Sequence, residues 1–378
     1  MALDFSMELS LEDCVAALGR ERAVELLAPH VVPPSAAPKA PEPPAGLPYR
    51  RVACVGVGTV GASWAAFFAS QGLEVSMFDQ NLEALERGMD LAKGALDRLE
   101  QAGVLQPGMA AVCSAKLLKA ETVEASVSNA DFVQETVFED YKVKGEVWKQ
   151  IEKYAPAATV IASSTSGLLI SKMSEVLNNP ERALVAHPFN PPHMINLVEL
   201  VPGPKTDDAV LQSVKTFYTL LGKAPVVLLK EVAGHIANRL AGAVWRESVS
   251  LVHQGVATVQ DVDTALHEGP GVRWAIMGQH AIYDLGGGAA GYRGFFEGPI
   301  GKGCFEPVWA SMEHWDTAPT DAKEASIAGI ERWHEEAGRT RAELASWRDS
   351  RLARIVMDKR LNPPPQRKIK PEDKQSQL

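Results

Sequence analysis

The apolar and polar positions of this chain follow two regimes. From Arg50 to about Val232, short apolar runs alternate with longer stretches of helical period. Arg51–Val55, Leu73–Phe78, Ala130–Gln134, 158–163, 182–187, 196–201 and 225–229 have the length and composition of strands. Ala62–Ser70 is an apolar helical stretch, 82–102 has a polar face, and 140–154 and 207–222 also carry helical spacing. Strands alternating with helices predict an α/β fold, a mainly parallel sheet covered by helices on both faces. Beyond Val232 the pattern is helical only, with apolar stripes at 233–255, 259–267 and 272–285 and a final helix over about 340–357. Residues 288–303 hold many glycines and predict a loop between helices.

The ends differ from both regimes. Leu11, Val15, Leu18, Val24 and Leu27 allow one or two short helices in a helical extension over residues 1–31. Residues 32–49 contain seven prolines and predict a stiff extended linker. Short helices on such a tether bury too little surface to fold alone. Three successive prolines and scattered charges make 358–378 a disordered tail. The expected domains are therefore 50–232 and 233–357.

The chemistry begins at Gly56-Val57-Gly58-Thr59-Val60-Gly61, between the first strand and the first helix. Gly56 permits the tight turn, Gly58 lets the backbone approach a pyrophosphate, and Gly61 lets helix and strand pack closely. The helix N-terminus offers free N–H groups to phosphate oxygens, placing Thr59 and Val60 in the same site. Asp79 ends the second strand, where a carboxylate accepts hydrogen bonds from the adenosine ribose. It also repels a 2′-phosphate, and no arginine follows until Arg87. The unit predicts a Rossmann-like doubly wound sheet that binds NAD rather than NADP.

Composition adds exclusions. The net charge of −9 argues against nucleic acid or an anionic membrane as partner. Cys14, Cys54, Cys113 and Cys304 form no CxxC pair, so neither a metal site nor a disulfide framework is expected. There is no apolar run of ~18 residues to span a membrane. Asp4, Glu8, Glu12 and Asp13 do not suit a signal or transit peptide. The chain ends Ser-Gln-Leu, a poor relative of the peroxisomal address, so a reducing cytoplasm is the expected compartment.

A second chemical stretch, Val185-Ala186-His187-Pro188-Phe189-Asn190-Pro191-Pro192-His193, ends a strand where doubly wound folds place their ligands. A histidine there can take a proton near neutral pH. Glu199 lies within the apolar run Leu197–Val201, where a carboxylate is costly unless paired. An imidazolium would pair it. Spacing alone also allows a turn histidine and a solvent-facing edge strand.

With these motifs, Ala162-Ser163-Ser164-Thr165-Ser166 and Ala233-Gly234-His235-Ile236-Ala237-Asn238-Arg239, the chain from about Arg50 to Met357 resembles the 3-hydroxyacyl-CoA dehydrogenase superfamily. It is most similar to the free-acid branch of gulonate and carnitine 3-dehydrogenases. The resemblance implies that His187 is the catalytic base and Glu199 its partner. It implies that Ser166 and Asn238 hold the reacting oxygen and that Asn190 lines the pocket. Glu139 and Lys144 match positions touching the nicotinamide half. Without it, Ser166 reads as a cap, Asn238 as a satisfied helical residue, and Glu139 with Lys144 as an exposed pair.

Acyl-CoA enzymes usually carry Asn where this chain has Ser164, and an aromatic where it has Pro188. Gly269-Pro270-Gly271-Val272-Arg273-Trp274 is similar to the free-acid enzymes. An Arg273 fork suits a substrate carboxylate, and Trp274 a quaternary ammonium by cation–π attraction. Arg273 as an interface brace and Trp274 as core are the plainer alternatives. His235 stands where the family is usually apolar. The resemblance implies an NAD-dependent oxidation of a small 3-hydroxy acid and a homodimer built on the helical domain. A short-chain 3-hydroxyacyl-CoA dehydrogenase and a crystallin-like structural protein are the alternatives.

Overall fold

The structure, a computed structural model, describes residues 41–361 except 313, 314, 316 and 339. The expected N-terminal helices, most of the linker and the tail beyond 361 lie outside the described residues. In chain order β1 (Arg51–Val55), α1 (Thr59–Ser70), β2 (Glu74–Phe78), α2 (Leu82–Gln101), α3 (Met109–Ser114) and β3 (Leu117–Lys119) come first. Then follow α4 (Val123–Val127), β4 (Phe132–Glu135), α5 (Tyr141–Tyr154), β5 (Val160–Ser163), α6 (Ile170–Met173) and β6 (Ala183–Pro188). β7 (Leu197–Pro202), α7 (Asp208–Leu220) and β8 (Ala224–Val227) complete one sheet in the order β3-β2-β1-β4-β5-β6-β7-β8. Every neighbouring pair is parallel except β6–β7. The strand order reverses between β1 and β4, the switch point at which such sheets bind ligands. The three-residue β3 and short α3 and α4 were not anticipated, because so few residues show no period.

Helix α1 is apolar because Gly61 to Ser70 are all buried. Its Trp64 stacks on Phe68 at 5.2 Å, and Phe68 on Phe217 at 5.9 Å. Phe217 and Phe132 lie 5.0 Å apart. Burying each such side chain stabilises the fold by about 1.5–3 kcal/mol. Tyr49 joins this cluster at 5.3 Å from Phe132, and Leu47 is buried beside it. The end of the expected linker is thus core, and the folded unit starts before Arg50. An apolar residue next to a proline can still be an anchor.

The helical region comprises α8 (Ala237–His253), α9 (Val259–Glu268), α10 (Pro270–Ile276), α11 (Gln279–Gly286), α12 (Gly291–Glu297), α13 (Glu306–Ser311), α14 (Thr320–Ala337) and α15 (Arg341–Leu361). Three expectations are corrected here. The stripe at 272–285 is two helices, because extended Gly278 interrupts it and Pro270 opens the first. Residues 288–303 are no loop: a 3-10 turn, α12 and the start of a π turn occupy them. Phe295 stacks on Tyr283 at 4.4 Å, and a Cβ on Gly287 would collide with the Gly291 carbonyl. Gly294, Gly298 and Gly301 likewise have no room for a Cβ, whereas Gly288 and Gly291 take positive φ at the 3-10 turn. Lastly, residues 358–361 belong to α15 and not to a disordered tail. No helix among the described residues is long and apolar enough to cross a membrane.

Candidate active site

A cleft of about 290 Å³ opens at the C-terminal ends of the parallel strands. Gly58 to Val60 line it after β1, Thr136, Val137 and Glu139 after β4, and Ser164 and Ser166 after β5. His187, Pro188 and Asn190 close it at the end of β6, with Lys144 reaching in from α5. Strand order therefore gathers residues from four separate turns.

The glycine turn fits a dinucleotide. Gly56 has φ +85°, and a Cβ on it would lie 2.7 Å from the Thr136 backbone. A Cβ on Gly61 would collide with the Gly56 carbonyl oxygen, whereas nothing lies within 4 Å of one on Gly58. Two glycines let the chain pack and the third leaves space in the cleft. Thr59 and Val60 begin α1, whose first N–H groups have no helical partners. Asp79 follows β2, with Oδ2 accepting from Val57 N–H at 3.2 Å and Oδ1 from Asn81 N–H at 3.1 Å. The carboxylate is thereby fixed beside the glycine turn.

The antiparallel register of β6 and β7 sets His187 directly opposite Glu199. His187 Nδ1 and Glu199 Oε2 are 2.8 Å apart, and both side chains are buried. The other carboxylate oxygen accepts the N–H groups of Ile236 and Ala237 at 2.7 and 2.9 Å, at the start of α8. Burial opposes the charge on Glu199, but the hydrogen bonds from His187 and the two N–H groups outweigh it and hold the carboxyl below its usual range. An ionised Glu199 makes Nδ1 the protonated nitrogen, so neutral His187 has a basic Nε2. The edge-strand reading of Glu199 fails because β8 covers β7.

A second buried carboxylate escaped sequence reading. Glu135, at the end of β4, accepts Lys144 Nζ at 2.8 Å, Ser163 Oγ at 2.7 Å, Trp148 Nε1 at 3.1 Å and Val137 N–H at 2.7 Å. Lys144 is buried and also lies 3.4 Å from Glu139. The exposed-pair reading of Glu139 and Lys144 is thus replaced by a chain of three charges. Glu139 in turn accepts the Thr165 hydroxyl at 2.5 Å and the N–H groups of Ser166 and Gly167 at 2.8 and 3.2 Å. Burial raises its carboxyl, and the Thr165 hydroxyl, Lys144 and Ser166 N–H more than reverse that.

Ser166 faces the cleft, while Asn238 on α8 lies 3.5 Å from the Ser166 carbonyl. The Ser164 hydroxyl is engaged: it accepts from Trp64 Nε1 at 3.2 Å and Gln134 Nε2 at 2.7 Å, leaving its proton for Thr136 Oγ1 at 3.0 Å. A hydroxyl with one donor and two acceptor positions is then full. Asn190 lies on the turn secured by His193, whose N–H donates to Ser63 Oγ at 3.0 Å. Arg273 and Trp274 stand apart on α10, both exposed, and neither lines the cleft. Trp274 Nε1 donates to Gln279 Oε1 instead.

The chain is similar to known proteins over most of its length. The family described as "3-hydroxyacyl-CoA dehydrogenase, NAD binding domain" matches residues 51–232, and "3-hydroxyacyl-CoA dehydrogenase, C-terminal domain" matches 234–325. The chain is 39% identical over 316 residues to L-carnitine dehydrogenase of Streptomyces griseus, covering 83% of this chain and 90% of that one. It is 35% identical over 309 residues to L-carnitine dehydrogenase of Oceanobacillus iheyensis, covering 81% and 97%. Among solved structures, an NAD+ dependent dismutase, 5-formyl-3-hydroxy-2-methylpyridine 4-carboxylic acid 5-dehydrogenase, superposes with a TM-score of 0.67 at 27% identity, covering 82% of this chain and 98% of that one. The (S)-3-hydroxybutyryl-CoA dehydrogenase from Ralstonia eutropha gives 0.55 at 29% identity, covering 63% and 82%.

Proposed function

The chain belongs to the 3-hydroxyacyl-CoA dehydrogenase family, and from that premise we propose that this NAD-dependent dehydrogenase oxidises the 3-hydroxy group of L-carnitine or a closely similar free acid. The observation that carries the chemistry is the buried His187–Glu199 pair, 2.8 Å apart, at the rim of the cleft beside the glycine turn. The substrate class is supported by relatives named L-carnitine dehydrogenase that are 35–39% identical over most of the chain. The bound nicotinamide supplies the acceptor for the hydride that leaves C3. His187 Nε2 takes the hydroxyl proton as the alcohol becomes a ketone. Glu199 stays ionised and stabilises the imidazolium, while the start of α8 shares its charge. Ser166 and Asn238 hold the reacting oxygen, and Asn190 lines the pocket. Glu139 and Lys144 stand where the nicotinamide half binds. Asp79 takes the ribose and selects NAD.

NADH formation followed in parallel with L-carnitine, L-gulonate, 3-hydroxybutyrate and 3-hydroxybutyryl-CoA tests the reading. L-carnitine is expected to give the highest kcat/KM. Turnover of the thioester alone would replace the free acid with an acyl-CoA, and no turnover of any of them would favour a structural role.

We further infer that two copies associate through the helical region. Among the described residues of α8, Ser250 alone is buried, while Leu240 is 65% and Trp245 72% exposed. Such apolar exposure suits a protein–protein interface. Light scattering should give a mass of twice 40.8 kDa. A mass of one chain at micromolar concentration would remove the inference.

A further inference from the structure

His235 has no part in the chemistry above, yet its setting is unusual. It is 2% exposed and sits at φ +51°, directly after Gly234 at φ +78°. For a residue with a Cβ, the left-handed conformation costs about 1–2 kcal/mol, and it persists only where surroundings impose it. The turn has two consequences. It directs the N–H groups of Ile236 and Ala237 to Glu199, and it brings the His235 ring within 5.0 Å of the His187 ring.

The ring's hydrogen bonding fixes its state. Nε2 lies 3.0 Å from the Thr165 carbonyl oxygen, which can only accept, so Nε2 carries the proton. Nδ1 is buried without a partner. Burial pushes His235 below the ordinary histidine range, aided by neighbouring His187 and only partly offset by the Thr165 carbonyl, Glu199 and Glu139. His235 is therefore a neutral Nε2–H donor.

The Thr165 carbonyl and the Ser166 N–H belong to one planar peptide unit. Its oxygen edge is held by His235 from the helical region, and its N–H edge by Glu139, 2.8 Å away in the turn between β4 and α5. Holding both edges fixes the rotation of that plane and with it the direction of the Ser166 Cβ. We propose that His235 is a positioning residue which, with Glu139, clamps the Thr165–Ser166 peptide so that the Ser166 hydroxyl meets the reacting oxygen. The inference rests on the role of Ser166 given above. It also explains a histidine at a position where an apolar residue would leave the Thr165 carbonyl without this donor.

Two variants separate the clamp from mere packing. His235→Gln places its amide N–H near the position of Nε2 and keeps the donor. His235→Asn tolerates the left-handed backbone better than most residues, but its amide matches the nearer Nδ1 and falls short of Thr165. The Asn variant should lose kcat about tenfold, as expected for one lost buried hydrogen bond, with KM for NAD and the Kd for NADH within about twofold of wild type. The Gln variant should recover most of that kcat. Wild-type kcat in the Asn variant would overturn the clamp. So would equal losses of kcat and NADH binding in both variants, which mark a residue needed only for folding. A His187→Ala control in the same assay keeps the two readings apart. If that control is inactive while the Asn variant is unaffected, the clamp alone fails. If the control turns over like wild type, the reading of the site fails with it.

Discussion

A His187→Ala variant is expected to bind NADH with its affinity within about twofold of wild type and to lose kcat by roughly 10²–10⁴-fold, the range of a positioned general base. The separation follows from where the groups lie. The glycine turn, Asp79 and the start of α1 belong to the β1–β2 half of the sheet, whereas His187 ends β6, three strands beyond β1. Removing the imidazole deletes the proton acceptor and leaves Glu199 Oε1 to accept the N–H groups of Ile236 and Ala237 as before. The start of α8 should therefore stay anchored. The pair is measured by NADH fluorescence titration and initial rates with saturating L-carnitine. Turnover within tenfold of wild type would show that another group takes the proton.

The second large effect separates two glycines that look alike in the motif. Gly58→Ala should leave the melting temperature nearly unchanged, because nothing lies within 4 Å of the added Cβ and the backbone there is not left-handed. It should weaken NADH binding roughly ten- to hundredfold, by displacing a phosphate from contacts worth about 1.5–3 kcal/mol. Gly61→Ala should instead destabilise the protein, since its Cβ meets the Gly56 carbonyl and two backbone segments must part. Differential scanning fluorimetry with and without NADH distinguishes the outcomes. Unchanged NADH affinity in Gly58→Ala would mean that the phosphates do not lie over this turn.

How far the site was legible depended on how local its determinants are. Gly58, Thr59, Val60 and Asp79 belong to one strand–turn–helix–strand unit, and a short window contains the whole physical reason for each. His187 and Glu199 were visible one at a time, one as a titratable group at a strand end and the other as a charge costly to bury. Their pairing was suggested by that cost and by family resemblance, not by spacing. Glu135 was passed over because it directly follows the expected strand Ala130–Gln134, and only the observed strand Phe132–Glu135 includes it. Arg273 and Trp274 were legible as chemistry able to meet a carboxylate and an ammonium. Nothing local says whether α10 points at the cleft, and here both side chains are exposed and neither lines it. The glycines of 288–303 were misread for a related reason: close helix packing and a flexible loop ask for the same residue.

Hydrophobic period and turn chemistry act over a few residues, so the sequence by itself determined the alternation of strands and helices, the dinucleotide turn and the change to helices near Val232. The tertiary structure decided what needs two or more distant segments at once. The antiparallel β6–β7 register put His187 opposite Glu199, and a slip of one residue would send either side chain to the other face of the sheet. Likewise, three segments separated by 26 and 70 residues meet at the Thr165–Ser166 peptide. Pairing of that kind is set by packing across the whole sheet, and no local propensity encodes it.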